Sequence, residues 1–151
     1  NRSAGYLTNL VARLFTRALE RRLEDGRSGP MPVFFALIDG GALPQKALAQ
    51  FAAVEQPTMA NTLARMERDG LIARQPDPAD RRSALVSLTP RGREQAAQAL
   101  RAAGDTNALG LTPLAPEEQA AFLEMLRRVI QYLDADAGPA VVAPAPESPH
   151  P

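Results

Sequence analysis

The hydrophobic period of the chain changes within residues 54–92, and this change constrains the fold more than any other feature. Residues 56–69 repeat apolar positions at helical spacing, and Gly70 follows them as a helix-ending glycine would. The next two runs, Leu71–Gln75 and Ala84–Leu88, instead suit extended strands, and the loop between them is rich in proline and charge. Residues 54–92 are therefore predicted to form a helix followed by a β-hairpin with a long, charged tip.

Three helices are predicted before this segment. Tyr6–Leu23 carries apolar residues at three- and four-residue steps with charges between them, which is typical of an amphipathic helix. The apolar block Val33–Ile38 is short and continuous, so its period allows a strand or a helix, and Pro32 at its start favours the helix. A further short helix is predicted over residues 44–52.

Two helices are predicted after the hairpin. Thr89 is a typical N-cap residue and Pro90 suits the first helical position, so a helix is expected to begin here. It is expected to end before a weakly structured stretch at residues 104–113. The last helix is predicted over Pro116–Leu133, where apolar residues again form a stripe.

Composition excludes several classes of function. With 45% hydrophobic and 23% charged residues among 151, the chain has material for one compact core. It contains no cysteine, and its one histidine, His150, lies in the Pro- and Ala-rich residues 138–151, which are predicted to be disordered. Because no phosphate-binding glycine loop or nucleophile motif is present, no catalytic residue, cofactor or metal site is predicted. No membrane-spanning or secretory segment is found, so a cytoplasmic protein is expected.

In a helix-turn-helix, the second helix lies in the major groove of DNA while the first braces it across the backbone. Here residues 44–52 would be the brace and residues 56–69 the reader helix. With the apolar side buried, the residues that face outward are Gln56, Thr58, Asn61, Thr62 and Arg65. These types suit base and phosphate contacts, since Asn and Gln pair with adenine and Arg with guanine. The alternative is an ordinary solvated helix face, which has the same appearance in sequence.

The loop of the predicted hairpin carries Asp80, Arg81 and Arg82 at its tip. An arginine there can enter a minor groove, whose narrow, electronegative walls attract guanidinium. A carboxylate two residues earlier can hold the arginine side chain and reduce the entropy lost on binding. A charged tip alone also serves solubility and protects a sheet edge. Its position directly after a reader helix favours a winged helix-turn-helix, a mainly α fold with a small β-hairpin wing.

At these residues the chain resembles the multiple antibiotic resistance regulator (MarR) family, and especially its SlyA-like branch. The resemblance is carried by VEQPTMANTLARMERDGLIAR at Val54–Arg74 and DPADRRSALVSLTPRG at Asp77–Gly92. Its most specific part is Asp80-x-Arg82, followed by Leu85-x-x-Leu88-Thr89 and Gly92. A weaker match, in the order of the helices, extends over about Tyr6 to Leu133.

The resemblance implies a homodimer in which the first helix and the last two helices of each subunit intertwine. Residues 1–29 would form an N-terminal dimerisation helix, residues 30–92 the winged helix-turn-helix DNA-binding domain, and residues 93–137 the C-terminal dimerisation helices. The apolar residues assigned to dimerisation are Leu7, Leu10, Leu14, Phe122, Leu126, Val129, Ile130 and Leu133. A small winged core would not obviously bury these apolar stripes, although each stripe can instead cover the core of its own subunit.

The resemblance also implies which residues contact double-stranded DNA. Arg82 of the wing would enter the minor groove, with Asp80 holding it. The implied contacts from the reader helix are Pro57, Thr58, Asn61 and Arg65.

Members of the family often bind small aromatic or phenolic anions and release DNA in response. In this chain the candidate ligand-binding residues are Arg17, Met31, Phe34 and Phe35. Arg17 would meet a carboxylate. The other three are equally ordinary core residues, and for each of them the core is the favoured interpretation.

The sequence therefore predicts a sequence-specific DNA-binding regulator of transcription that acts as a homodimer on a palindromic operator, with repression as the commoner outcome in the family. The alternative is a winged-helix module that serves protein–protein interaction without an operator. Asp80 and Arg82 favour the regulator, because a module that does not bind DNA has no need for both at this spacing.

Overall fold

The computed structural model describes residues 3–136, so the predicted disorder of residues 138–151 lies outside the described residues. In chain order the elements are α1 (Ala4–Glu20), α2 (Met31–Leu37), β1 (Leu43–Pro44), α3 (Gln45–Phe51), α4 (Gln56–Arg68), β2 (Ile72–Pro76), β3 (Ala84–Leu88), α5 (Pro90–Leu111) and α6 (Pro116–Asp136). The prediction of a mainly α fold with a small β-hairpin wing is confirmed. Within the described residues, no helix is long and apolar enough to cross a membrane.

The helices before the hairpin follow the sequence pattern closely. The block at residues 33–38 is helical, as Pro32 indicates from its place in the first turn of α2. α1 ends at Glu20, before Leu23, which still packs against the core from the loop that follows. Between α3 and α4 the chain turns through Ala53, whose φ of 50° is in the left-handed region. This turn sets the two helices of the helix-turn-helix against each other.

The hydrophobic core lies between α2, α3, α4, the sheet and the first half of α5. From α4 it takes the three residues predicted to face inward, Met59, Leu63 and Met66, and all three are buried. The fully buried side chains around them include Val33, Leu37, Leu48 and Val86. Because α4 is anchored by three side chains on one face, its opposite face is presented to solvent in a fixed orientation.

The sheet has three antiparallel strands in the order β1-β3-β2, where a two-stranded hairpin was predicted. The wing, defined here as β2, β3 and the loop between them, pairs Ile72 with Leu88 and Pro76 with Ala84. The added strand β1 pairs Leu43 with Val86. It is too short for a period to show in sequence, and its proline is tolerated because it lies at the sheet edge.

Backbone contacts join the end of α4 to the start of α5. Gly70 ends α4 at a φ of 73°, which confirms its expected role. The Thr89 hydroxyl donates to the carbonyl of Gly70 at 2.7 Å and accepts from the amide of Gly92 at 3.0 Å. A Cβ added at Gly92 would overlap the carbonyl of Leu71. These contacts hold the base of the wing between the two helices.

The predicted weak structure at residues 104–113 is wrong, because α5 continues as a helix to Leu111. Thr106 is buried, and its hydroxyl donates a hydrogen bond to the carbonyl of Ala102 at 2.7 Å. Gly110 lies against the ring of Phe15 in α1, so closely that a Cβ there would overlap the ring. The absence of a side chain at Gly110 thus allows α1 to pack closely along α5.

The two outer helices bury no residue of their own. α1 packs along α5, whereas α6 makes no extensive contact with any other element of the described chain. Leu23, the last residue of the first stripe, packs against the core of its own chain, whereas Leu7, Leu10 and Leu14 are exposed. The assignment of the two stripes to a dimer interface stays a prediction.

Candidate DNA interface

One face of α4 carries the polar residues predicted to read DNA. Gln56, Pro57, Thr58, Asn61 and Arg65 are exposed and Thr62 is half-buried. Pro57, Thr58, Asn61 and Arg65 point away from the buried side formed by Met59, Leu63 and Met66, and Gln56 and Thr62 flank that side. The structure thus brings the six predicted helix residues onto one outward surface, called here the reading face.

Local hydrogen bonds organise the reading face. The side chain of Gln45 in α3 donates to Gln56 Oε1 at 3.2 Å and so ties the start of α4 to the preceding helix. The Thr62 hydroxyl donates to the carbonyl of Thr58 at 3.2 Å, and Arg65 Nε donates to the carbonyl of Asn61 at 3.3 Å. The side chain of Asn61 makes no hydrogen bond to another described residue, so its amide is available to a ligand.

The tip of the wing is shaped by two aspartates. The Asp77 carboxylate accepts from the amide of Ala79 at 2.8 Å, and the Asp80 carboxylate accepts from the amide of Arg82 at 2.9 Å. The carbonyl of Asp80 also accepts from the amide of Ser83 at 2.9 Å. These bonds form turns in which each aspartate caps backbone amides two residues along.

This geometry differs from the expected role of Asp80, which was to hold the side chain of Arg82. Within 4.0 Å the two side chains form no ion pair in the described chain. Asp80 instead fixes the backbone at Arg82, and the guanidinium is exposed. The Asp80 carboxylate therefore fixes the point at which the Arg82 side chain extends from the loop, and it does not neutralise the charge of that side chain.

The acidic groups at the C-terminal end of α4 are engaged away from the reading face, whereas Glu55, directly before α4, is exposed and forms no ion pair among the described residues. Glu67 pairs with Arg74 of β2 at 3.1 Å, and Asp69 pairs with Arg27 at 3.8 Å and Arg68 at 3.7 Å. No such pair is formed by Arg65, Arg81 or Arg82 among the described residues. The net charge of the chain is zero, so the positive character needed to meet phosphate is local to these three arginines.

The predicted dimerisation residues form an apolar surface on the outer helices. Leu7, Leu10 and Leu14 of α1 and Val129, Ile130 and Leu133 of α6 are exposed, and Phe122 and Leu126 are half-buried. The structure adds exposed residues that the prediction missed: Tyr6, Val11, Leu109, Leu123, Met125 and Tyr132. Those on α1 and α6 lie on or beside the predicted stripes, whereas Leu109 fell in the stretch wrongly expected to be weakly structured.

The candidate ligand-binding residues do not form a common site. Met31 and Phe34 are buried in the core, as favoured from the sequence, whereas Phe35 is exposed and its core assignment is wrong. Arg17 is exposed and borders a surface cleft with Glu20 and Arg21. The four residues are therefore divided between the core and two separate surfaces.

A cavity of about 100 Å³ lies between the α1–α2 loop, α2 and α5. Its apolar lining comes from Leu23, Phe34 and Ala99. The polar groups around it come from Arg22, Glu24, Asp25, Arg27, Gln95 and Gln98. Of these nine residues only Phe34 was predicted, because the others come from two separate segments, residues 22–27 and 95–99, that no sequence period connects.

The comparisons with known proteins agree with this fold. The sequence model of the MarR family matches residues 35–84, from α2 to the start of β3. Transcriptional regulator HosA of Escherichia coli is 33% identical over 115 residues, which cover 76% of this chain and 85% of HosA. The HTH-type transcriptional repressor NicR of Pseudomonas putida is 33% identical over 103 residues, which cover 68% of this chain and 65% of NicR.

A solved structure extends the comparison to the whole fold. BpsR of Bordetella bronchiseptica, described in terms of the regulation of its DNA binding by 6-hydroxynicotinic acid, has a TM-score of 0.75 and 28% identity. The match covers 83% of this chain and 96% of BpsR. The resemblance to the SlyA-like branch is not tested by these matches and stays a prediction. With a relative of this identity matched over most of its length and a winged fold shared with BpsR, the chain belongs to the MarR family.

Proposed function

We propose that the protein is a transcriptional repressor that binds double-stranded DNA as a homodimer on a palindromic operator and releases it when a small aromatic acid binds. One observation carries this proposal: the reading face and the wing tip present arginines without acidic partners on elements anchored in the core. HosA and NicR are named as a transcriptional regulator and a transcriptional repressor, which supports the same function.

In the proposed complex, the first half of α4 enters the major groove. Asn61 reads a base there, while Arg65 takes a guanine or a phosphate. The wing extends along the duplex, and Arg82 enters the adjacent minor groove. The free amide of Asn61 and the free guanidinium of Arg82 support these two assignments, since neither group must break an ion pair to bind.

The proposed dimer uses the outer helices. Residues 1–29 and 93–137 supply the interface, and residues 30–92 form the DNA-binding domain of each subunit. The exposed apolar surface of α1 and α6 supports this division, because a second copy would remove it from water. Two domains related by a two-fold axis match a palindromic operator. Since the bacterial chromosome is cytoplasmic, this function places the protein in the cytoplasm.

For the effector we propose the 100 Å³ cavity beside Phe34. Leu23, Phe34 and Ala99 give it an apolar wall for one edge of a planar ring. Arg22 can pair with a carboxylate, as can Arg27 once it leaves Asp69, and both must outweigh Glu24 and Asp25 on the same lining. The regulation of BpsR by 6-hydroxynicotinic acid supports an aromatic acid as the ligand class. Of the four predicted ligand-binding residues, Arg17, Met31, Phe34 and Phe35, this proposed site keeps Phe34.

The DNA-binding proposal is tested by enriching bound fragments from random-sequence duplex DNA and titrating the selected duplex against salt. Affinity should fall steeply as salt rises, because arginines displace counterions from phosphate. If the affinity does not change with salt concentration, or if no duplex is bound, the proposal is refuted. The alternative, a winged-helix module for protein–protein interaction without an operator, is then favoured.

Two substitutions separate the roles of helix and wing. Arg82→Ala should weaken all duplexes similarly and reduce the salt slope by about 1 per subunit, or about 2 for the dimer, whereas Asn61→Ala should cost about 1–3 kcal/mol per half-site, mainly at particular base pairs. Arg101→Ala, at an exposed position on α5, is the control for the loss of one positive charge. Unchanged sequence preference in Asn61→Ala would show that the reading face is wrongly assigned.

The effector proposal is tested with 6-hydroxynicotinic acid as the probe. It should release DNA from the wild-type protein, and the double substitution Arg22→Gln with Arg27→Gln should abolish this response while DNA binding without the acid is kept. An equal response from the double variant would exclude this cavity.

A further inference from the structure

One ion pair connects α4 to the wing. Arg74, the third residue of β2, donates from Nε to Glu67 Oε2 in the last turn of α4 at 3.1 Å. The side chain of Arg74 is 30% exposed, whereas the arginines in the other ion pairs of the described chain are 60% to 70% exposed. This pair is therefore both the shortest and the most shielded of those the structure describes.

The base of the wing is held by Thr89 and by the burial of Ile72 and Leu88, and this ion pair adds a tie farther along its outer strand. β2 is an edge strand, hydrogen-bonded only to β3. Arg74 lies directly opposite the buried Val86, on the inner side of the hairpin that faces the core. Within residues 3–136, the Glu67–Arg74 contact is the one hydrogen bond or ion pair that joins a side chain of α4 to either strand of the wing.

We propose that Glu67 and Arg74 are positioning residues that fix the angle between the reader helix and the wing. The angle decides whether Asn61 and Arg82 reach adjacent grooves of one duplex together. This inference rests on the proposed DNA-binding function. Neither Glu67 nor Arg74 needs to contact DNA for the pair to act.

The physical basis is the cost of ordering a mobile arm. If the wing is already held at the right angle, the minor-groove contact follows the major-groove contact without further loss of conformational freedom. An ion pair of this exposure is expected to change affinity by about 1.5- to fivefold per DNA-binding domain. Two domains on one operator raise the limit to about 25-fold for the dimer.

The direction in which Glu67→Gln changes the affinity for DNA distinguishes positioning from simple electrostatics. Glu67→Gln removes a negative charge near DNA, so electrostatics alone predicts tighter binding. Positioning predicts weaker binding, because glutamine leaves Arg74 Nε only a neutral acceptor, and a hydrogen bond between Arg74 and a neutral oxygen is about half as strong as the charged one. The measurement is the affinity of the full-length variant for the duplex selected by the wild-type protein. Asp69→Asn, which removes the same charge two residues along and does not contact the wing, is the matched control and should not weaken binding.

Two further variants exclude a general loss of structure. The exchange of Glu67→Arg with Arg74→Glu restores the pair at constant net charge and should recover most of the lost affinity. In an Arg82→Ala background the wing contact is already lost, so Glu67→Gln should then have little further effect. Melting temperatures of all variants, compared at one protein concentration, show whether each is folded.

The inference is overturned if Glu67→Gln binds as tightly as wild type or tighter, if its loss of affinity is undiminished in the Arg82→Ala background, or if the exchange recovers nothing. In each case the wild-type protein still binds its duplex, so the proposed function stands. Failure of the wild-type protein to bind any duplex would instead remove the proposed function, and this inference with it.

Discussion

Replacing Gly92 by alanine should destabilise the protein, because the first turn of α5 passes directly against the backbone of Leu71. A Cβ at this position would overlap the carbonyl oxygen of Leu71 and lie 2.9 Å from its carbonyl carbon. The same oxygen already accepts a hydrogen bond from the amide of Thr89 at 3.0 Å. Both sides of the contact are backbone, so no rotation of a side chain can relieve it.

The size of the effect can be worked from this contact. Forcing extra volume into a packed site costs about 1–3 kcal/mol, and weakening the Thr89 cap costs about 1 kcal/mol more. The higher helix propensity of alanine offsets about 0.5–1 kcal/mol of this loss in stability. The net loss is about 1–3 kcal/mol, which corresponds to a fall in melting temperature of roughly 3–12 °C for a chain of this size.

The matched control is Gly104→Ala in the same helix, where an added Cβ meets no atom within 4 Å. This variant should melt at or a few degrees above the wild-type temperature, since only the helix-propensity term remains. Thermal unfolding followed by circular dichroism at a fixed protein concentration measures both. If Gly92→Ala melts within about 2 °C of wild type, the close approach of α5 to Leu71 is wrong.

The remaining predictions concern the wing, the α1–α5 contact and the dimer. Asp80→Ala should weaken DNA binding severalfold with little change in melting temperature, because the amide of Arg82 loses its acceptor while the core is untouched; an unchanged affinity would show that the turn does not matter. Gly110→Ala should lower the melting temperature, and adding Phe15→Leu should recover part of the loss, because the obstacle is the aromatic ring; no recovery would contradict this packing. Ile130→Glu should convert the dimer to monomer in sedimentation experiments, and an intact dimer would exclude α6 from the interface.

The helix-turn-helix and the wing could be predicted from the sequence because their signals are local. Met59, Leu63 and Met66 repeat at the period of one helix, and Gly70 marks its end. The extension of α5 and the third strand could not be predicted in this way. The buried environment of Thr106 is created by packing that is distant in sequence, and β1 is only two residues long.

In the candidate site, too, the residues with local sequence signals could be predicted and those that depend on distant packing could not. The reading face follows from the period of α4, since burial of one side determines the other. The role of Asp80 could not be predicted, because sequence spacing does not tell whether a carboxylate bonds a backbone amide or a guanidinium two residues on. Glu67 and Arg74 were missed for a related reason: their contact depends on how the wing leaves α4, and no period of either element contains both.

The outer helices differ from the winged core in what stabilises them. α6 has 21 residues and buries none of them, although most of the stability of a helix in a protein comes from packing of its apolar face. In the proposed dimer, its stability comes from the partner, so folding of α6 and association of the subunits are one equilibrium. The same association holds two reading faces on one operator, and the second domain binds with an effective concentration that a free monomer lacks. Ile130→Glu must therefore lose the dimer and operator affinity together, although Ile130 lies on α6 and not on the reading face.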